Sequence, residues 1–219
     1  IVRLVKENPH EVVLVTLGPL TNLALAVMLS PGIVSMIKRV VVMGGAMFSP
    51  RGHGLNHPDS NRGNVTPSAE ANIYKDPFAA RKVLKAGFGP DKLVFVTLDL
   101  TTQTNYESCD ILEIFQPSSA VGHFLKASHA HYVDVYKNTF GRNTVPFHDS
   151  CAVFYALSPE SFVCADVSMD VETRGELTLG MTVVDGRGLV PSNVRVCQSI
   201  NTDELYNSIR RSVASFGDK

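Results

Sequence analysis

No stretch of this 219-residue chain holds the ~18 consecutive apolar residues that a membrane-spanning helix needs, so no membrane partner is expected. Basic runs are missing too. Lys and Arg total 20 against 21 Asp and Glu, and nothing recommends a nucleic acid as partner. The four cysteines, Cys109, Cys151, Cys164 and Cys197, include no closely spaced pair. That argues against a zinc knuckle or a dense disulfide framework and favours a reducing, cytoplasmic setting. Internal repeats, low-complexity linkers and a break marking a second domain are also absent. What remains is 44% hydrophobic and 19% charged residues, an ordinary globular balance in a length that suits one α/β domain over residues 1–219.

The order of segments points to a parallel sheet. Val12-Val13-Leu14-Val15-Thr16-Leu17 reads as a strand buried on both faces, closed by Gly18-Pro19. A helix from Thr21-Asn22 to Leu29 follows, ended by Pro31-Gly32, and then a strand, Arg39 to Met43, broken by Gly44-Gly45. Strand, helix and strand in this order make a βαβ unit. Further on, a helix from Glu70 to Ala86 is expected to restart at Asp76-Pro77, where Asp caps and Pro fits the first turn. Leu93 to Leu98 reads as a third strand, followed by a polar turn from Asp99 to Asn105. Helical spacing of Val121, Phe124, Leu125, Tyr132, Val135 and Tyr136 predicts one long helix from about Ser118 to Lys137. Asp149 is placed to cap a helix from Ser150 to Leu157, and a last helix runs from about Thr202 to Val213. The chain opens on Ile1 in mid-pattern, which suggests that it begins inside a longer protein.

Two clusters carry chemistry. Asn64, Glu70 and Asn72 lie within nine residues in Gly63-Asn64-Val65-Thr66-Pro67-Ser68-Ala69-Glu70-Ala71-Asn72. A carboxylate with two amides suits a hydroxyl-rich ligand, because each hydroxyl both donates and accepts. Taken alone, the trio is better explained as loop and first-turn helix residues. The second cluster, Phe147-His148-Asp149-Ser150-Cys151-Ala152, puts a proton carrier beside a hard oxygen ligand; a buried histidine next to a helix cap is its plain alternative. His53 and His57 with Asp59 imitate metal-ligand spacing, but no helix aligns the rings, and Ser49 to Arg62 is read as a flap over the site. His123, His129 and His131 read as helix-surface residues. Cys151 near His148 lies in an apolar helix start and is not expected to act as a nucleophile.

Taken in order, six motifs resemble the inosine-uridine nucleoside hydrolase family. They are Leu17-Gly18-Pro19-Leu20-Thr21-Asn22, Val42-Met43-Gly44-Gly45, Gly63-Asn64 through Glu70-Ala71-Asn72, Leu98-Asp99-Leu100-Thr101, His148-Asp149 and Thr173-Arg174-Gly175. The resemblance implies an α/β fold with a mostly parallel central sheet flanked by helices. It also implies hydrolysis of the N-glycosidic bond of ribonucleosides to ribose and a free purine or pyrimidine base. A bound Ca²⁺ would take the Leu17 backbone carbonyl and the Asp149 carboxylate. Asn64, Glu70 and Asn72 would hold ribose hydroxyls, with Met43 lining the sugar pocket, and His148 would be the general acid toward the base. Tyr132 and Tyr136 fall in a region that borders the base in relatives, and core packing explains them as well. A full-length protein of this kind is expected to be a homodimer or homotetramer.

The chain departs from that family in three ways. The Asp-x-Asp-x-Gly-x-Asp-Asp motif, which supplies most calcium ligands and the carboxylate that activates water, does not occur in it. By the resemblance this motif and the first strands of the sheet belong upstream of Ile1. The loop after Gly45 is longer than in compact members, and Ala71 stands where many members place an aromatic residue. Two other function classes therefore stay open: a non-catalytic assembly subunit, and a nucleoside- or ribose-binding protein without turnover.

Overall fold

The computed structural model describes residues 1–47, 63–107, 109–110, 115 and 120–216. His53, His57, Asp59 and the expected flap from Ser49 to Arg62 lie outside the described residues. In chain order the elements are α1 (Val2–Glu7), β1 (Val13–Thr16), α2 (Thr21–Leu29), α3 (Ile33–Met36), β2 (Arg39–Met43), α4 (Ala71–Lys75) and α5 (Pro77–Leu84). Then come β3 (Leu93–Val96), α6 (Leu98–Thr101), β4 (Asn105–Glu107), α7 (Ala120–Phe140), β5 (Thr144–Pro146) and α8 (His148–Leu157). The last are β6 (Phe162–Val171), β7 (Thr182–Asp185), β8 (Val194–Ile200) and α9 (Thr202–Ala214).

Six strands form one sheet in the order β1-β2-β3-β8-β6-β7. The β1, β2, β3 and β8 strands run parallel, while β6 pairs antiparallel with β8 and with β7. Alternation along the central strands divides the core between two faces, because successive side chains point to opposite sides. Val40, Val42, Leu93, Phe95, Val194 and Val196 face the side packed by α2 and α5. Val41, Met43, Val94, Val96 and Cys197 face the side that holds buried residues of α8 and α9. Every residue of β3 is buried, and each Val, Leu or Phe so removed from water contributes ~1.5–3 kcal/mol. This is why the sequence reads as uninterrupted apolar runs rather than alternating ones. β1 departs from the expectation of burial on both faces. All four of its residues are only half-buried, since among the described residues it pairs with β2 alone. No helix of the described residues is long and apolar enough to cross a membrane.

The break at Asp76-Pro77 is as expected and has a physical cause. Pro77 occupies the first turn of α5, and Asp76 Oδ1 accepts from the Ala79 amide at 3.0 Å. Its other oxygen, Oδ2, accepts from the Thr21 hydroxyl of α2 at 2.5 Å, so one carboxylate both caps α5 and ties it to a neighbouring helix. Asp76→Ala should cost about 1–2 kcal/mol, read as a lowered urea midpoint at unchanged slope; an unmoved midpoint would remove the cap from the stabilising contacts.

Two local expectations are corrected. Asp99 to Asn105 is not a polar turn but α6 followed by a 3₁₀ turn, Thr102–Thr104. Leu100 and Thr101 are pulled into the core, and the Thr101 and Thr102 hydroxyls fold back on the Leu98 carbonyl at 3.3 and 2.9 Å. Asp149 does not cap α8. That helix begins two residues before the expected Ser150, at His148, with Phe147 at the cap position and Asp149 inside the first turn. For α7, the expected start at Ser118 lies outside the described residues.

Candidate functional site

The Gly63–Asn72 segment is folded by its own polar groups. A Cβ on Gly63 would stand 2.2 Å from the Thr66 carbonyl oxygen, so only glycine permits the tight return. Thr66 Oγ1 accepts from the Ala69 amide at 3.0 Å, and Asn64 Oδ1 accepts from the Ala71 amide at 2.9 Å. Glu70 then caps α4. Its Oε1 accepts from Asn72 N at 2.8 Å, and its Oε2 accepts from Ile73 N at 3.1 Å and from Gly45 N at 3.0 Å. Asn72 Nδ2 donates to the Met43 carbonyl at 3.1 Å. The trio is thus a structural unit before it meets any ligand, and it joins α4 to the carboxyl end of β2.

Glu70 is 2% exposed. Burial pushes its carboxyl above the ordinary range, and the three amides work in the opposite direction. A carboxylate has about four acceptor positions. Among the described residues Oε2 uses two and Oε1 one, which leaves one on Oε1. Asn64 Nδ2 and Asn72 Oδ1 are the amide ends not used in these bonds.

From Glu70 a continuous path of hydrogen bonds leads to the second cluster. Gly45 donates to Glu70, and its carbonyl accepts from Leu98 N at 2.8 Å. Gly45 sits at φ 83°, a conformation that favours glycine. The Leu98 carbonyl contacts Thr101 Oγ1 at 3.3 Å, and that oxygen lies 2.6 Å from His148 Nδ1. On the far side of the ring, His148 Nε2 lies 3.0 Å from the Tyr136 hydroxyl.

Burial lowers the His148 pKa to about 4. The free ring is therefore neutral at neutral pH. Tyr132 and Tyr136 meet edge to face with centroids 4.8 Å apart, and burial raises the phenol pKa of both. Packing and contact with His148 thus coexist, on one face of α7. His129 is no surface residue. It stacks on Phe147 at 5.6 Å and meets Phe115 and Tyr132 edge-on, and its pKa is lowered by burial. Cys151 is fully buried, donates to the Phe147 carbonyl at 3.0 Å and has its thiol pushed up to about 12 by burial, consistent with an inert packing residue.

Leu17 directly follows β1, and Asp149 lies in the first turn of α8, which packs on β1 and β2. Both side chains are exposed, and loss of surrounding water still raises the Asp149 carboxyl. Two participants were missed at the level of sequence. Thr101 holds Nδ1 of His148 although 47 residues separate them, and Gly45 joins the clusters through its backbone. Their signal was membership in the Leu98–Thr101 and Val42–Gly45 motifs. The Thr173-Arg174-Gly175 motif takes no part in this path. Thr173 accepts from Arg81 Nη1 at 3.1 Å, and Glu172 Oε1 accepts from the amides of Arg174 and Gly175.

With this geometry in hand, the chain was compared with known proteins. A family model described as inosine-uridine preferring nucleoside hydrolase matches residues 1–207. The chain is 36% identical over 197 residues to a non-specific ribonucleoside hydrolase of Salmonella enteritidis, covering 89% of this chain and 58% of that protein. It is 34% identical over 201 residues to an uncharacterized Schizosaccharomyces pombe protein, covering 91% of this chain and 60% of that one. Among solved structures, a purine-preferring ribonucleoside hydrolase from Gardnerella vaginalis superposes with a TM-score of 0.84 at 25% identity, covering 99% of this chain and 64% of that one. A plant nucleoside hydrolase gives the same TM-score at 24% identity, covering 97% and 64%. The chain therefore spans less than two thirds of the length of each.

Proposed function

Because this chain belongs to the inosine-uridine preferring nucleoside hydrolase family, we propose that its two clusters bind a ribonucleoside and promote hydrolysis of the N-glycosidic bond to ribose and free base. The observation that carries this reading is the hydrogen-bond path from Glu70 through Gly45, Leu98 and Thr101 to His148. It joins the proposed sugar-binding and base-facing residues at the carboxyl ends of β2 and β3, where open α/β sheets bind ligands.

The residue chemistry fits a ribonucleoside. Ribose hydroxyls match the remaining acceptor on Glu70 Oε1, the Asn64 amide nitrogen and the Asn72 amide oxygen. Met43 acts through its carbonyl, which fixes the Asn72 amide and so its orientation. Breaking the C–N bond develops positive charge on the sugar and negative charge on the base. The buried Glu70 carboxylate opposes the first. His148 and Tyr136, whose hydroxyl lies 3.0 Å from the ring Nε2, act on the second as a pair toward the base. Tyr132 packs against Tyr136 and holds it at the ring.

The Leu17 carbonyl and the Asp149 carboxylate are hard oxygens of the kind Ca²⁺ takes, and Ca²⁺ needs ~6–8 of them. Among the described residues no group of three or more His, Cys, Asp or Glu is arranged to hold a metal. These residues do not by themselves fit a calcium shell. We assign Leu17 and Asp149 only as two ligands of a site that other residues would have to complete. A second reading, left open by the sequence, is a protein that binds nucleosides or assembles with partners without turnover. One experiment separates the two. Incubation of the full-length protein with inosine or uridine should release free base and reducing sugar in equal amounts. Saturable binding of intact nucleoside with no free base would establish the second reading instead.

A further inference from the structure

Cys164 and Cys197 stand directly opposite each other on the antiparallel pair β6 and β8, with their sulfurs 3.0 Å apart. Opposed residues on such strands have Cα atoms about 4.5–5.5 Å apart, inside the ~4.4–6.8 Å that a disulfide spans. The register shifts between Val163 and Cys164, and a bulge of this kind re-aims the side chain that follows it. Both cysteines are free thiols.

The two thiols are not equivalent. Cys197 is 1% exposed and sits in the core. Cys164 is half-buried and lines an open cavity of about 490 Å³ with Arg39, Tyr155, Glu160, Asp166 and Arg195. Asp166 holds Arg195 in place through two bonds of 2.7 and 3.1 Å. Ionised Cys164 accepts from the Cys197 thiol and lies near the Arg195 guanidinium, and both effects hold its pKa below the ordinary thiol value. The same hydrogen bond and burial push Cys197 upward.

We infer that Cys164 and Cys197 form a redox-active dithiol, oxidised by a low-molecular-weight disulfide that reaches Cys164 through this cavity. The Cys164 thiolate attacks one sulfur of the small disulfide, whose S–S bond breaks. One small thiol leaves and takes up a proton, and a mixed disulfide remains on Cys164. Cys197 then loses its proton to solvent and attacks Cys164 Sγ, displacing the second small thiol. Overall the protein dithiol and one small disulfide become a Cys164–Cys197 disulfide and two small thiols. A cavity of this size admits such a molecule, and accessibility makes Cys164 the attacking sulfur and Cys197 the resolving one.

The test is a redox titration of the reduced, folded chain with glutathione disulfide and glutathione, followed by alkylation and non-reducing peptide mapping. The expected result is a cross-linked Cys164–Cys197 peptide lighter by two hydrogens, reversed by dithiothreitol. Cys197→Ser should trap one glutathionyl group on Cys164, and Cys164→Ser should leave Cys197 unmodified. If exposed Cys109 becomes glutathionylated while Cys164 and Cys197 of the parent chain stay alkylatable, the dithiol assignment fails. It fails equally if a folded Cys197→Ser protein, checked by circular dichroism, carries no adduct on Cys164. The map of the parent chain decides the question even where a serine variant misfolds.

Discussion

Replacing His148 with Ala in the full-length protein should lower kcat for inosine by ~10²–10⁴-fold, the range expected when a positioned proton donor is lost, while KM moves far less. The reason lies in the placement of the ring. Thr101 holds Nδ1 at 2.6 Å and Tyr136 meets Nε2 at 3.0 Å, so in the proposed reading His148 acts on a base together with the phenol. Tyr136→Phe removes that oxygen and keeps the ring packing against Tyr132, and it should slow inosine by a similar factor. A Tyr136→Phe enzyme with parental kcat would show that His148 meets the base directly. A His148→Ala enzyme with parental kcat would remove the residue from the reaction. Uridine should respond less than inosine, since protonation of a ring nitrogen assists departure of a purine most. Steady-state kinetics on the two nucleosides provides all four comparisons.

Glu70→Ala should destabilise the protein by about 3–5 kcal/mol, because it leaves the amides of Gly45, Asn72 and Ile73 without their acceptor in a buried setting. For a chain of this size that corresponds to a fall in Tm of roughly 10 °C. Glu70→Gln should fall between parent and Ala, since one carbonyl oxygen still accepts while the new NH₂ faces backbone donors. Asn64→Ala loses one such bond, to Ala71 N, and should cost about 1 kcal/mol. Thermal melts of the four proteins make the comparison. A Glu70→Ala protein that melts with the parent would mean that the carboxylate is held for ligand alone and that the cap is incidental. The geometry shows the cap, and the proposed ligand contact is coupled to it: the amides that cap on Glu70 also fix the oxygen proposed to face ribose.

Much of this arrangement was legible in the chain itself. β2 and β3 were readable because burial on both faces demands continuous apolar runs, and Val40 to Met43 and Leu93 to Val96 comply. The restart at Asp76-Pro77 was readable because capping is local chemistry between neighbours in sequence. The α6 turn was not, since Asp99 and the threonines are polar by composition and become helical only because Leu100 and Thr101 are drawn into the core. His129 was misplaced for the same kind of reason. Its aromatic surroundings come from Phe115, Tyr132 and Phe147, two of which lie more than ten residues away in sequence.

By itself the sequence determined the family, the parallel-sheet architecture and the identities of Asn64, Glu70, Asn72 and His148 as the groups to watch, because residue types and motif order are properties of the chain. Only the tertiary structure decided what those groups are bonded to. Glu70 is a buried helix cap with one acceptor position to spare, and His148 is a neutral ring held between Thr101 and Tyr136. Two cysteines that looked isolated face each other across β6 and β8. Hydrogen bonding and burial depend on atoms brought together from distant parts of the chain, and spacing along a sequence does not encode them.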